Sequence, residues 1–398
     1  MRIAILNSSG RKVGGIETYL NALIPALQRT NVQVALWYEN DEPSSRDQIA
    51  SDEEIPKWCV AKLGAERSLA ELRRWSPDVI YAHGLDDPRL EASTLEVAPA
   101  VFFAHAYYGT CISGSKSWSN GTVRPCNRVF GPQCLGHYYP HRCGGLNPIT
   151  MLKEYQRQKL RLELLRRYRC VLTGSEHMRA EYAKYGLRVQ HLPLLVPPAG
   201  NSRHWTDSSP GWRLLFMGRM DHLKGGLTLI ESLPEVSAAL DRPVHVTFAG
   251  DGHDRRLWES RAAALAASCA GLSFDFPGWV EGEAHDALIA GSDLLVMPSL
   301  WPEPFGLIGP QAGLRGLPAV AFAVGGTSDW LKDGVNGYLA PANPPSARLL
   351  AEAIIKCLRD SSHYKQLREG ALMVAESFSV NDHVSRVINV LEQAVVAD

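Results

Sequence analysis

A turn between two apolar runs constrains the fold of this chain more than any other feature. The first run covers 293–297 and the second covers Leu317–Phe322, and each has the length of a buried strand. Between them, Pro298–Gln311 carries Glu303 and a glycine turn before a helix begins. A helix start presents backbone N–H groups and the positive end of its dipole to an anion. The order strand, turn, helix, strand therefore predicts a phosphate site at the carboxyl end of the first strand.

Short apolar runs continue along the rest of the chain. Runs at 78–82, 100–104 and 170–173 are separated by patterns with helical spacing, and a further strand begins near Arg213. This alternation predicts an α/β fold with parallel sheets that are covered on both faces. With 398 residues, the chain is long enough for two domains that each have a core.

A pair of cations follows one of the strands. The run Leu214–Met217 ends in Gly218, and Arg219 and Lys224 stand five positions apart in the next segment. Arg can engage phosphate oxygens through two N–H groups, while Lys acts as a mobile point charge, so the pair suits a diphosphate. A solvated surface pair is the alternative interpretation.

Both segments resemble motifs of one family, the retaining GT-B glycosyltransferases of family 4, or glycosyl transferases group 1. Glu303–Leu307 resembles the E-P-F-G-L turn of that family, and Gly218–Gly226 resembles its G-R-x4-K-G motif. The family has Glu-x7-Glu, whereas this chain has Glu303-x7-Gln311. The resemblance therefore places Gln311 where the family carries its second acid.

Further segments match the family in the same order. Gly250 stands in the glycine turn after the next strand, and Trp279 ends a segment similar to the one along the nucleobase. In the first half, Gly14-Gly15 resembles the loop that faces the donor, and it could equally be any first turn of such a sheet. His105 and Cys111 are similar to the H-D-x4-C pattern, in which the histidine touches the donor sugar.

The resemblance implies two Rossmann-like doubly wound domains that face a cleft, the GT-B fold. It assigns 1–198 to an acceptor-side domain with a Cys-rich insert at 105–145, and 203–380 to the domain that binds the nucleotide sugar. The last segment, 381–398, is expected to be a helix that crosses back to the first domain. A cluster of Pro, Gly and Ser at Leu194–Ser202 predicts the interdomain hinge.

The implied activity is that of an EC 2.4 enzyme. It would move a sugar from a nucleoside diphosphate to a hydroxyl acceptor, with retention of configuration and without a catalytic metal. The acceptor would be a glycan, a lipid-linked glycan or a small molecule, as in polysaccharide biosynthesis, and the base of the donor is left open. The implied catalytic residues are His105, Arg219, Lys224 and Glu303. The implied donor-binding residues are Gly14, Gly15, Gly218, Arg219, Lys224, Gly250, Trp279, Glu303, Phe305, Gly306, Leu307 and Gln311.

Two other functions are consistent with the same motifs. One is a catalytically silent protein that binds sugar nucleotides, with Gln311 marking the lost activity. The other is a GT-B sugar-nucleotide epimerase. Turnover without an acceptor would favour the epimerase, and nucleotide affinity without turnover would favour the binding protein.

The insert at 105–145 contains half of the eight cysteines and shows no helical or strand periodicity. Three hypotheses are open for it: a structural zinc, two disulfides, or free buried thiols. In a reducing compartment zinc is the preferred hypothesis, although the spacing lacks a Cys-x2-Cys pair. The four cysteines concerned are Cys111, Cys126, Cys134 and Cys143.

Charge and hydropathy narrow the expected location and partners. A formal net charge of −1 gives no general attraction to nucleic acid. No run is long enough for a transmembrane helix, and Met1 leads directly into a strand without a signal-peptide pattern, which predicts a cytoplasmic protein. The basic helix at 150–169 is either a solvated face or a surface that attracts the anionic leaflet of a membrane.

Overall fold

The structure is a computed structural model that describes residues 1–43, 46–196 and 210–396. It divides into two compact units. The first unit comprises Met1–Lys116, Asn127–Pro197 and Phe378–Asp398, and the second comprises Ser117–Cys126 and Pro198–Ser377. Most of the segment predicted as a hinge, from residue 197 onward, lies outside the described residues.

Strands and helices alternate through most of both units. In chain order the strands are β1 (Arg2–Ser9), β2 (Gln33–Asn40), β3 (Lys57–Cys59), β4 (Val79–Ala82), β5 (Ala100–Ala104), β6 (Ser117–Trp118), β7 (Arg124–Pro125), β8 (Cys170–Thr173), β9 (Val189–His191), β10 (Trp212–Met217), β11 (Val244–Ala249), β12 (Leu272–Gly278), β13 (Leu294–Met297), β14 (Ala319–Phe322) and β15 (Gly337–Ala340). The helices are α1 (Gly15–Gln28), α2 (Val60–Leu63), α3 (Ala65–Trp75), α4 (Pro88–Thr94), α5 (Gln133–Tyr138), α6 (Pro148–Leu165), α7 (Glu176–Ala183), α8 (Gly226–Ala239), α9 (Arg255–Ser268), α10 (Gly282–Gly291), α11 (Ile308–Gly313), α12 (Thr327–Trp330), α13 (Ala347–Leu358), α14 (Ser361–Glu376) and α15 (Val380–Val396). A 3₁₀ turn covers His222–Lys224.

The first unit contains a seven-stranded sheet in the order β3-β2-β1-β4-β5-β8-β9, and the strand pairs are parallel. Ile3 of β1 lies between Val34 and Val79, and all three side chains are buried. Strands buried on both faces read as continuous apolar runs, which explains the pattern seen in the sequence. The C-terminal helix α15 belongs to this unit and buries Val387 and Leu391.

The second unit contains a six-stranded parallel sheet in the order β12-β11-β10-β13-β14-β15. Its core packs Phe216 and Phe248 against Trp258 of α9. The strand order reverses between β10 and β13, as it does between β1 and β4 in the first unit. In doubly wound sheets ligands bind outside the carboxyl ends of the strands at such switch points. The loops after β10 and β13 therefore flank the expected binding position of the second unit.

The insert at 105–145 contains regular structure that the sequence analysis did not anticipate. Helix α5 and the antiparallel pair β6–β7 lie within it. A small apolar core orders the helical part, with Phe130 and Tyr138 packed against Met151 and Leu162 of α6. The periodicity was missed because α5 has six residues and each strand of the pair has two, too few for a repeating pattern.

A buried ion pair holds the start of the insert. Lys116 Nζ lies 2.5 Å from Glu181 Oε1 on α7, and each side chain is 3% exposed. Removal of one partner of such a pair strongly destabilises a protein, because the other charge stays buried without a partner. The insert is thus anchored by packing and by one ion pair. None of the helices in the described ranges is long and apolar enough to cross a membrane.

Candidate functional site

Glu303 is the centre of a hydrogen-bonded cluster in the second unit. Its Oε1 accepts from Lys224 Nζ at 2.6 Å, from Ser299 Oγ at 2.5 Å and from Trp301 Nε1 at 2.9 Å. Lys224 Nζ also lies 5.3 Å from the centre of the Trp301 ring. Because three donors end on one oxygen, the buried carboxylate has one defined orientation, and Lys224, 21% exposed, keeps access to solvent.

The loops after β10 and β13 are joined through their backbones. Leu300 N donates to Leu223 O at 2.7 Å. Gly225 has φ +71°, and a Cβ there would overlap the carbonyl oxygen of Pro298. Asp221 fixes the 3₁₀ turn, since its Oδ1 accepts from the backbone N–H groups of Leu223 and Lys224. This close approach brings Lys224 to Glu303 although the two are far apart in sequence.

The backbone around Glu303 is held by glycines of the next loop. Gly326 N donates to Glu303 O at 2.7 Å. Gly325 has φ +60°, and a Cβ there would overlap the nitrogen and oxygen of Glu303. Trp330 Nε1 donates to Phe305 O at 2.7 Å and secures the turn that contains Gly306, with φ +87°. The predicted residues Phe305 and Gly306 therefore shape the turn.

Arg219 lies at the same end of the sheet. Its side chain is 69% exposed, and its Nε bonds to Asp221 Oδ2 at 2.9 Å. Gly218 and Gly250 end the two neighbouring strands, and Gly218 N donates to Ala249 O at 2.9 Å. A Cβ on Gly250 would overlap the Gly218 carbonyl oxygen, so these two glycines allow the turns to pack together.

Three other predicted donor-site residues of the second unit, Trp279, Leu307 and Gln311, are not among the groups that donate to the Glu303 carboxylate. Trp279 is exposed and donates from Nε1 to Glu281 Oε1 at 2.6 Å. Leu307 precedes α11, and Gln311 is half-buried on that helix, where its backbone N bonds to Leu307 O. Among the described residues, neither Trp279 nor Gln311 is one of the donors to Glu303.

His105 belongs to a cluster of aromatic and imidazole rings in the first unit. Its Nε2 lies 2.9 Å from Nδ1 of the fully buried His83. Tyr19 OH lies 2.8 Å from Nε2 of His383 on α15, and the Tyr19 ring is 5.4 Å from the ring of His105. Burial, and then the charge of His383, lowers the pKa of His105 to about 3, so this imidazole is neutral near pH 7.

The Gly14-Gly15 loop leads into α1 beside a buried acid. Asn7 Nδ2 donates to Glu17 Oε1 at 3.0 Å, and burial raises the pKa of Glu17. Gly14 has φ −172°, an extended conformation that any residue adopts. A Cβ on Gly15 would meet no atom within 4 Å. The fold of this unit does not itself require glycine at these positions.

The structure does not gather the four cysteines of the insert into a ligand set. Within the described ranges, His222, His253 and Asp254 bring three possible ligand atoms close together, and none of the four cysteines belongs to that group. Cys134 and Cys143 pack against the apolar core of the insert, and no disulfide joins cysteines of the described chain. The zinc expected at Cys111, Cys126, Cys134 and Cys143 has no ligand geometry here, because packing and the Lys116 ion pair order the segment instead. The third hypothesis, free buried thiols, fits these contacts in part, because the structure describes all four cysteines as thiols outside any disulfide, but each is only half-buried.

Some residues of the site were not assigned roles from the sequence. Ser299 and Trp301 lie in the segment singled out there, but their convergence on Glu303 depends on the bend of the chain. Polar residues next to an acid in a buried stretch are the signal that could have identified them. His83 lies 2.9 Å from His105 through their ring nitrogens, and nothing in the sequence links these two histidines to His383.

Both halves of the chain match family models of glycosyltransferases. Residues 204–372 match the family model described as glycosyl transferases group 1, and residues 13–195 match glycosyltransferase family 4. Phosphatidyl-myo-inositol mannosyltransferase of Mycobacterium leprae is 24% identical over 359 residues, which is 87% of this chain and 84% of that protein. D-inositol 3-phosphate glycosyltransferase of Salinispora arenicola is 31% identical over 194 residues, 47% of this chain and 42% of that protein.

The fold agrees with these matches. The crystal structure of Anabaena Alr3699/HepE in complex with UDP and glucose superposes with a TM-score of 0.68 at 19% identity, over 98% of this chain and 99% of that one. The two parallel sheets, each with its own switch point, are the α/β arrangement expected from the sequence. The chain belongs to the glycosyltransferases with the GT-B fold, with a family 4 segment followed by a group 1 segment.

Proposed function

We propose that this glycosyltransferase moves a sugar from a nucleoside diphosphate to a hydroxyl group with retention of configuration and without a catalytic metal. The observation that carries the proposal is the Lys224–Glu303 cluster at the switch point of the second unit. It sets a partly exposed cation beside a buried, oriented carboxylate. The cation would stabilise the charge on a leaving diphosphate, and the carboxylate would orient the sugar ring.

The diphosphate is assigned mainly to the two cations. Arg219 is mostly exposed and Lys224 partly so, and both follow β10. Helix α11 has six residues, so its dipole contributes less than that of a longer helix. The backbone N–H groups of Gly306 and Leu307 supplement the side chains. The bond between the anomeric carbon and the β-phosphate oxygen breaks, and the cations stabilise the charge that develops on that oxygen.

The acceptor oxygen attacks the anomeric carbon on the face that the diphosphate leaves. Its proton passes to the departing phosphate oxygen, so no protein base takes part in this step. His105 is suited to hydrogen bonding, because its lowered pKa keeps the imidazole neutral. We assign His105 to a hydrogen bond with the donor sugar, Glu303 to the orientation of the sugar ring, and Gln311 to a ribose hydroxyl.

The glycine loop of the first unit supports this assignment. Backbone geometry explains glycine at Gly225 and Gly325, where φ is positive and a Cβ would overlap other atoms. Neither reason applies to Gly14 or Gly15. Glycine also permits close approach of the backbone to a ligand. We therefore assign this loop to contact with the donor.

The relatives suggest the class of substrates. HepE was solved with UDP and glucose, so UDP-hexoses are the first donors to examine. Trp279 is exposed just after β12, and we assign it to a contact with the base. The mannosyltransferase of Mycobacterium leprae acts on a phosphatidyl-inositol by its name, which favours a lipid-linked hydroxyl acceptor.

A ligand screen followed by product analysis tests the proposal. We expect one nucleotide sugar among UDP-glucose, UDP-galactose, GDP-mannose and ADP-glucose to raise the melting temperature most, since a ligand at about 100 times its Kd stabilises by about 2.7 kcal/mol. With that donor and an accepted alcohol, NMR of the first product should show the anomeric configuration of the donor.

Three results would contradict parts of the proposal. Inversion of configuration would exclude the retaining mechanism. Conversion of the donor without any acceptor would favour the epimerase. Stabilisation without turnover across lipid and soluble acceptors would favour the binding protein.

We also propose that the beginning of α6 contacts a membrane surface. Leu146 and Ile149 are 78% and 64% exposed, and Lys153 follows on the same helix. Two basic residues farther along are engaged within the first unit: Arg161 is buried and donates to Leu85 O, and Arg157 donates to Asp86 O. Exposed apolar side chains beside a cation are typical of a surface that enters the headgroup region.

Sedimentation with phospholipid vesicles tests this surface. The variant Leu146→Asp/Ile149→Asp should bind anionic vesicles at least about ten-fold more weakly than wild type, since burying one such side chain contributes about 1.5–3 kcal/mol. Met373→Asp is the control, because Met373 is 61% exposed on a different helix, α14. Equal binding by both variants would exclude the beginning of α6 as the membrane contact.

A further inference from the structure

Two histidines and one carboxylate meet in the second unit outside the Glu303 cluster. One ligand atom each from His222, His253 and Asp254 lies within 4.8 Å of the others. Around a tetrahedral zinc ion with bonds of about 2.1 Å, ligand atoms are roughly 3.4 Å apart. Small side-chain rotations would therefore suffice to close the group around one ion.

The backbone under this group is already assembled. Met220 N donates to Asp251 O at 2.8 Å, and Asp254 N donates to Met220 O at 3.1 Å. A Cβ on Gly252 would overlap the carbonyl oxygen of Met220, so the loops after β10 and β11 are in contact. His222 projects from one of these loops and His253 from the other. An ion bound by both histidines would link the two loops, and the backbone would not have to move.

Asp254 occupies the N-cap position of α9. A carboxylate that precedes a helix normally accepts from the first backbone N–H groups. Asp254 precedes α9 but makes no such side-chain bond, and its Oδ1 instead lies 3.4 Å from His253 Nε2. The carboxylate is therefore directed at the imidazole, the arrangement that a shared ion would use. His222 and His253 are exposed, which leaves a path for the ion.

We infer that His222, His253 and Asp254 form a binding site for Zn²⁺, with water completing the coordination. Imidazole and carboxylate are ligands that zinc accepts, and three protein ligands leave one position open. The ion links the loop that carries Lys224 to the loop after β11, so its binding stabilises the second unit. The site is separate from the reacting groups and does not depend on the proposed reaction.

Titration of chelator-treated, dialysed protein with zinc chloride tests the site by calorimetry. We expect one zinc per chain in wild type. Loss of a residue that merely supports a metal ligand typically costs about 10- to 100-fold in affinity, so His253→Ala and Asp254→Asn should each cost at least ten-fold. His245→Ala is the matched control, because His245 of the same unit contacts Asp275, Ser273 and Thr247 and is not one of the three proposed ligands. Its affinity for zinc should equal that of wild type.

Thermal melting and cobalt spectra complete the test. Zinc should raise the melting temperature of wild type and His245→Ala but not of His253→Ala, and all three proteins should melt alike without metal. Equal zinc affinity in wild type and His253→Ala, or no saturable binding in wild type, would overturn the inference. Thiolate charge-transfer bands in the cobalt-loaded protein would also overturn it, because they would place the metal on cysteines.

Discussion

Replacement of Lys224 by alanine is expected to lower kcat about 100- to 1000-fold, the usual effect of removing a group that stabilises charge in the transition state. Lys224 is the cation that contacts Glu303 directly, at 2.6 Å. Its loss would remove the charge that faces the leaving diphosphate. Glu303 would still accept from Ser299 and Trp301, so the carboxylate should keep its orientation. The effect should therefore appear mainly in kcat.

Steady-state kinetics at saturating donor would measure this change, with circular dichroism to verify folding. Lys356→Ala is the control, since Lys356 is an exposed lysine on α13 of the same unit, beside the ring of Tyr338. It should retain the wild-type kcat. A Lys224→Ala enzyme within a few-fold of wild type would remove Lys224 from the mechanism.

Gly325→Ala is expected to lower kcat/KM about 100-fold, because a misplacement of about 1 Å in a positioning group can have that cost. A Cβ at Gly325 would stand closer than 3.0 Å to the backbone nitrogen and oxygen of Glu303. Backbone atoms cannot turn aside as a side chain can. Glu303 must move, and its three hydrogen bonds with it.

Gly334→Ala separates this displacement from the cost of the backbone conformation. Gly334 has φ +72°, close to the +60° of Gly325, but a Cβ there would meet only Tyr338 OH, at 4.0 Å. Both variants should therefore lose melting temperature through strain in the left-handed region, and Gly325→Ala should lose more because its Cβ also overlaps the Glu303 backbone. Only Gly325→Ala should lose activity. Equal activities would show that contact between this loop and Glu303 is not needed for catalysis.

The cysteine-rich insert shows where inference from sequence reached its limit. Its cysteines suggested a metal because no periodic pattern explained how the segment could be ordered. The ordering comes from Phe130 and Tyr138, which meet α6, and from Lys116, which meets Glu181. These partners lie outside the insert, so the pattern within it could not reveal them.

The two parallel sheets and the loops that carry the candidate site could be predicted from local patterns in the sequence. Buried strands impose continuous apolar runs such as 293–297, and turns with positive φ impose glycine, so both leave local marks. Lys224 and Glu303 could be named because they stand in local motifs that resemble those of family 4. Two sets of contacts are visible only in the folded chain. Lys224, Ser299 and Trp301 all donate to one oxygen of Glu303. The ring of Tyr19 contacts the rings of His105 and His383. Such contacts depend on which strands become neighbours at a switch point and on where the last helix packs, and pairing between distant segments leaves no period in the chain.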